Sequence, residues 1–220
     1  MAGHEPWISR GWSGNILERS ALADGTRLVA KRIVPGANWI DRHTADEGRE
    51  ALLFRSGVLD RVQGAIDRSI VAAERDGEAW WVVMKDVSNS LLSDHQRLSR
   101  EESSRILLAA TQMWEEFWGE EIPHLCPLRS RLCLLSPAIA ESERSALDLL
   151  PKQLEVFWEA FAEAVDPDVA EGVLSLHDHP EPLVAAVEAL GTTLIHADMR
   201  DEQLGLPTDR LVLLDWGLAT

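Results

Sequence analysis

The chain of 220 residues carries 37 acidic against 21 basic side chains, a formal charge of −16, with 45% hydrophobic residues and two cysteines. That composition suits a globular protein and excludes wholesale disorder, a disulfide scaffold or four-cysteine zinc site, and a basic nucleic-acid groove. No apolar run approaches the roughly 20 residues of a membrane span and the opening MAGHEPWISRGW lacks a signal-peptide core, so the expectation is a reduced, cytoplasmic protein with neither membrane nor nucleic acid as partner.

In chain order, Ile16 to Leu22 and Thr26 to Val34 read as strands joined by Ala23-Asp24-Gly25, a hairpin signal. Thr44-Ala45-Asp46-Glu47 has the pattern of a capping box, opening a helix that continues through EALLFRSGVLDRV. Two more strands are expected around Ala65 to Ala73 and Ala79 to Val87, separated by the turn Arg75-Asp76-Gly77-Glu78. Beyond Val87 a polar stretch leads to mostly helical sequence. Ser99-Arg100-Glu101-Glu102 is a second capping box, and Pro151 stands as a first helical residue ahead of Leu154, Phe157, Trp158 and Phe161. Asp166-Pro167 and His179-Pro180 break the helical run. Short strands return at Thr193 to Ile195, Leu204 to Leu206 and Leu211 to Leu214, the last two joined by Thr208-Asp209-Arg210. The class is α+β: a β-rich lobe over residues 1–87, a linker over 88–94 and a helical lobe over 95–220. A cleft between lobes is a favoured ligand site.

The chemistry concentrates near the end, in LIHADMRDEQLGL and LVLLDWG. His196, Asp198 and Gln203 fall in a loop between short strands, and Asp215 ends the next strand 17 residues after Asp198. Phosphoryl transfer needs one carboxylate to orient and deprotonate an acceptor hydroxyl. It needs a second carboxylate and a neutral oxygen to hold Mg²⁺ on the phosphates. Asp198, Asp215 and Gln203 meet that requirement.

His196-Ala197-Asp198 with an amide at Gln203, followed by Asp215-Trp216-Gly217, resembles the loops of the aminoglycoside phosphotransferase and choline kinase-like superfamily, small-molecule kinases with a protein-kinase-like fold. The resemblance implies a bilobal fold, ATP and Mg²⁺ as cofactors, and a small-molecule hydroxyl acceptor. Asp198 is then the catalytic base, His196 its support, and Gln203 and Asp215 the metal ligands. It also implies a strand lysine for the phosphates, met by Lys31 within Leu28-Val29-Ala30-Lys31-Arg32-Ile33, one of three lysines in the chain. A helix glutamate should hold that lysine. Glu47, at the third position of the expected capping box, is occupied by the helix end, so Glu50, one turn deeper, is chosen. Gly11 and Gly14, in Gly11-Trp12-Ser13-Gly14-Asn15, stand where the family covers the phosphates, and Met84, Lys85 and Val87 lie in the strand that resembles the one entering the interlobe hinge, whose backbone would receive the adenine. Gln203 replaces the family's usual Asn and Ala197 its usual Gly. The helices that complete the lobe and build much of the acceptor pocket lie beyond Asp215-Trp216-Gly217 in the family, so the chain reads as truncated there.

Other readings stand beside this one. A nucleotide-binding pseudoenzyme or inactive fragment accounts for Gln203 and the chain end, and a metal-dependent hydrolase accounts for His177, His179, His196 and Asp198 as ligands. Trp114, Phe117 and Trp118, at helical spacing, read as core, and Cys126 and Cys133 as idle thiols. The acidic excess suits a cationic acceptor.

Overall fold

Alternation of inward and outward side chains sets the first layer. The structure is a computed structural model that describes residues 5–7, 15–93, 95–146, 148–207 and 210–220. Strands β1 (Glu5–Trp7), β2 (Ile16–Ala21), β3 (Arg27–Ile33), β5 (Ile70–Asp76) and β6 (Ala79–Lys85) form an antiparallel sheet in the order β1-β2-β3-β6-β5. The expected hairpin is present: the Asp24 carboxylate accepts the Thr26 N–H at 2.9 Å. In β3, Val29, Lys31 and Ile33 share the buried face. Side chains alternate along a strand, so the apolar neighbours two residues away on each side aim Lys31 inward.

Three short helices separate β3 from the rest of this sheet: α1 (Trp39–Thr44), α2 (Arg49–Arg55) and α3 (Val58–Arg61). The capping box expected at Thr44–Glu47 does not form. Thr44 closes α1, its hydroxyl donating to the Ile40 carbonyl at 2.8 Å, and Ala45 turns left-handed at φ 52°. Asp46 takes over the start of α2, accepting from the N–H groups of Gly48 and Arg49 at 2.8 and 2.5 Å. Gly57, at φ 80°, then divides the expected long helix in two.

The strand expected at Ala65–Ala73 is also two. Strand β4 (Ile66–Asp67) leaves the first sheet and pairs parallel with β8 (Leu211–Leu213), which pairs antiparallel with β7 (Leu204–Gly205). Ser69, at φ 58°, makes the turn, its N–H held by the Asp67 carboxylate at 2.8 Å.

The remaining chain is mainly helical. Helix α4 (Arg100–Glu116) starts with the expected capping box, Ser99 and Glu102 bonding reciprocally. Helices α5 (Leu128–Cys133), α6 (Pro137–Ser142), α7 (Leu149–Ala164), α8 (Pro167–Asp178) and α9 (Glu181–Glu188) follow. Pro151 is the third residue of α7 rather than the first, still within the turn that needs no amide donor. The strand expected at Thr193–Ile195 does not join a sheet; Ile195 instead exchanges two backbone hydrogen bonds with Thr220, at 2.8 and 2.9 Å. Gly11 and Gly14 lie outside the described residues, as do Thr208 and Asp209 of the last turn.

The architecture is therefore α+β and bilobal, with an antiparallel sheet lobe before a mainly helical lobe. One buried cluster runs through both, from Val29, Leu53 and Ile66 to Phe117, Leu213 and Trp216. Among the described residues no helix is long and apolar enough to cross a membrane.

Gly48 is the tightest joint of this frame. It sits at φ 96°, and a Cβ there would lie 2.2 Å from the Trp80 indole, whose Nε1–H donates to the Glu47 carbonyl at 2.9 Å. Gly48→Ala is predicted to lower unfolding free energy by about 2–4 kcal/mol from combined backbone strain and overpacking. Urea denaturation measures it, and a loss below about 0.5 kcal/mol, the usual range of a neutral surface change, would contradict the packing described.

Candidate functional site

Three elements deliver charge to one point. Strand β3 brings Lys31, α2 brings Glu50, and the end of β8 brings Asp215. The Lys31 ammonium lies 2.9 Å from Glu50 Oε2 and 2.8 Å from Asp215 Oδ1. Burial favours a neutral lysine, but the Asp215 and Glu50 carboxylates outweigh it and hold the Lys31 pKa above its ordinary value. Partial burial pulls Asp215 up, yet Lys31 overrides it and keeps that carboxyl below its ordinary value. Glu50 is pushed up, burial exceeding the help from Lys31. Two carboxylates thus share one ammonium, leaving excess negative charge beside the cavity.

Asp215 reaches this position through a left-handed backbone, φ 61° and ψ 72°, ahead of the single 3-10 turn Trp216–Leu218. Aspartate tolerates that region better than most residues. Ala197, at φ 63°, makes the matching turn in the other loop, a conformation that glycine would adopt without steric penalty. His196 joins the two loops. Its Nε2 lies 2.9 Å from the Leu214 carbonyl, and its Nδ1 accepts the Asp198 N–H at 3.3 Å. These contacts fix a neutral imidazole with the proton on Nε2. Burial drives its pKa down to about 4, so His196 is a brace and not an acid at neutral pH. Burial conversely raises the Asp198 carboxyl, against the pull of Arg200 and Arg131, which makes it a better base.

Gln203 is buried between the two carboxylates. Its amide nitrogen makes a long 3.5 Å contact with Asp215 Oδ2, and its side chain helps to lower the Asp198 carboxyl. A carboxylate and an amide carbonyl are hard oxygen donors of the kind Mg²⁺ takes, with waters and phosphates completing its shell. Asp215 and Gln203 therefore fit that ion by chemistry, Gln203 once its amide turns its oxygen inward. The longer glutamine brings its amide to the same two carboxylates.

These residues line a cavity of about 900 Å³ between the lobes. Met84, Lys85 and Val87 line it with Val29, whereas Arg131, Leu134 and Leu150 line it with Asp198. The N–H groups of Lys85, Asp86 and Ser88 already bond Ser69, Arg27 and Asp86, so a nucleobase would use other hinge groups. The hydrolase grouping does not assemble. His177 sits on α8, edge-on to Trp158 with centroids 4.9 Å apart. Among the described residues no three His, Cys, Asp or Glu side chains are grouped to hold a metal.

Comparison with solved structures finds phosphotransferases. An aminoglycoside phosphotransferase from Alicyclobacillus acidocaldarius is 17% identical, with a TM-score of 0.48, over 98% of this chain and 62% of that one. An aminoglycoside-3'-phosphotransferase of type VIII is 20% identical, with a TM-score of 0.44, over 99% of this chain and 72% of its own. A macrolide 2'-phosphotransferase from Brachybacterium faecium is 14% identical, with a TM-score of 0.33, over 98% and 66%. The chain thus spans less than two thirds of the length of the Alicyclobacillus protein. No protein-family model matches the chain, and no curated protein matches it in sequence.

Two residues of this region gave no signal in the sequence, which marks no helix at α1 and sets the next helix start at Thr44 instead of Arg49. Arg49 is fully buried beside Glu50. Asp41, on α1, lines the cavity and is 8% exposed, with Oδ2 lacking a hydrogen-bond partner. Burial first, then the neighbouring Asp46 carboxylate, pushes the Asp41 carboxyl up to about 7 against the Asn38 amide, Lys31 and Arg49. Its folded pKa exceeds its unfolded value of 3.8, so the folded state holds its proton more tightly. Asp41 therefore detracts increasingly from stability as pH rises from about 4 to about 7. Asp41→Asn is predicted to melt above the unmodified chain at pH 8, with the gap closing towards pH 4.5. A constant gap across that range would contradict this placement.

Proposed function

We propose that the chain carries the nucleotide-binding and phosphoryl-transfer site of a small-molecule kinase, moving the γ-phosphate of ATP to an acceptor hydroxyl with Mg²⁺. The observation supporting this most is the Lys31 cluster. Lys31 and Asp215 stand 184 positions apart, yet their charged atoms lie 2.8 Å apart on the wall of the same cavity as Asp198. A purely structural ion pair has no need of a third carboxylate, a cavity and a catalytic-type loop.

Each residue then has a task. Lys31, oriented by Glu50, places its compact charge on the α- and β-phosphates. Asp215 and Gln203 hold Mg²⁺, which when bound neutralises phosphate charge and orients the γ-phosphate. Asp198 accepts the proton of the acceptor hydroxyl as its oxygen bonds to the γ-phosphorus. The bond from that phosphorus to the β–γ bridging oxygen breaks, and ADP leaves with the electron pair. His196 keeps the Asp198 backbone and the Leu214 carbonyl in register. Positioning and charge neutralisation supply most of the rate gain. The surplus of acidic side chains favours a cationic acceptor.

Mg-ADP at about 100 times its Kd is predicted to stabilise the chain by roughly 2.7 kcal/mol, read as a thermal shift. Asp198→Asn should keep that shift and lower turnover by about 10²–10⁴-fold in a coupled ADP-release assay across amino-sugar, amino-alcohol and macrolide acceptors. Binding with no turnover on any acceptor would support a nucleotide-binding pseudoenzyme. Undiminished turnover by Asp198→Asn would refute the role of Asp198, and no response to Mg-ADP would refute the nucleotide site.

A further inference from the structure

The buried charge that this chemistry leaves unused is Arg49. Its side chain is 1% exposed, and its guanidinium meets four groups from three stretches of the chain. Nε donates to the His124 carbonyl ahead of α5 at 2.9 Å, and Nη2 donates to the Thr44 carbonyl at the end of α1 at 2.6 Å. Nη1 donates to the Gly217 carbonyl and lies 3.4 Å from the Asp46 carboxylate. A guanidinium removed from water carries a desolvation penalty of several kcal/mol, and an apolar residue of similar volume is often as stable or more so. Arg49 is therefore poorly explained as core filling.

The partners of Arg49 indicate another role. Gly217 is two residues beyond Asp215, and its backbone amide helps to hold the Asp215 carboxyl low. The neighbouring Trp216 amide likewise favours the charged form of Glu50. Neighbouring residues of α2 thus act on neighbouring residues of the loop: Arg49 donates to the Gly217 carbonyl, and the Trp216 amide favours the charged form of Glu50. The fit is close, because a Cβ on Gly217 would lie 3.3 Å from Asp215 Oδ1 and 3.6 Å from Asp46 Oδ2. Asp46 in turn holds the first amides of α2, so the position of the helix and that of the loop are set by one network.

We propose that Arg49 is a positioning residue that locks α2 to the Asp215 loop, so that the Lys31–Glu50 pair and the metal-binding carboxylate are placed together. This inference rests on the phosphotransferase reading. Arginine is required because its planar fork serves several carbonyls at once, whereas lysine offers one compact charge. Loss of the lock leaves Lys31 able to meet phosphate but frees the left-handed Asp215 turn, so the defect falls on the metal-dependent part of nucleotide binding.

The test measures the Kd of ADP by calorimetry, with and without saturating Mg²⁺, on the unmodified chain, Arg49→Lys, Arg49→Met and Gly217→Ala, each below its own melting temperature. Gly217→Ala disturbs the same link from the loop side and keeps the test alive if an Arg49 variant does not fold. The expected result is at least a tenfold loss of the Mg²⁺-dependent gain in ADP affinity in every folded variant, with no rescue by lysine. Affinity for ADP without Mg²⁺ should change less than threefold. Lower melting temperatures with an unchanged Mg²⁺-dependent gain would mean that Arg49 is structural and would overturn the proposal. An unmodified chain that binds ADP in neither condition would count against the phosphotransferase reading itself.

Discussion

A single buried ammonium organises this protein. Lys31 is held between Glu50 and Asp215 at 2.9 and 2.8 Å, and each partner comes from a different part of the fold. For the three to meet, β3 must present alternate residues inward, α2 must pack against the sheet at one depth, and β8 must end at the cavity. The parallel pairing of β4 with β8 contributes here, because chain from the first lobe enters the sheet that carries Asp215. Displacing any of these elements leaves the buried Lys31 and Glu50 charges without their partners.

The electrostatics of the surrounding wall follow from that arrangement. Two carboxylates face one ammonium, and burial lifts Glu50 while Lys31 keeps Asp215 low. Asp41, also on the cavity wall, has an oxygen with no hydrogen-bond partner. A fold selected for stability alone would pair or remove such groups; regions that break local rules in this way are where function is expected. His196 shows the opposite treatment. Held neutral by burial and bonded at both nitrogens, it adds rigidity to the site without adding charge.

Much of the site was legible because its residues stand on strands or in loops tightly tied to strands. Val29, Lys31 and Ile33 show the alternation that buries Lys31, and the apolar run of β8 puts Asp215 at a strand end. The capping box at Ser99 was readable because both side chains bond locally. The one at Thr44 was not, since the same residue pattern there closes a helix: Ala45 and Gly48 adopt left-handed conformations that composition does not encode. Glu50 bonds Lys31, whereas the cap expected to occupy Glu47 does not form, α2 starting after Gly48 without a side-chain cap. Arg49 and Asp41 were invisible because their environment is assembled from long-range contacts. Arg49 meets Gly217 across 168 positions, and no local periodicity signals such a bond.

The central claim is that the Lys31 cluster is a nucleotide phosphate site and not a structural ion pair. Calorimetric titration of Mg-ADP into the unmodified chain and into Lys31→Met tests it most directly. The account predicts saturable binding at one site that weakens at least tenfold in Lys31→Met while the variant stays folded. Absent binding, or equal affinity in both proteins, would contradict it.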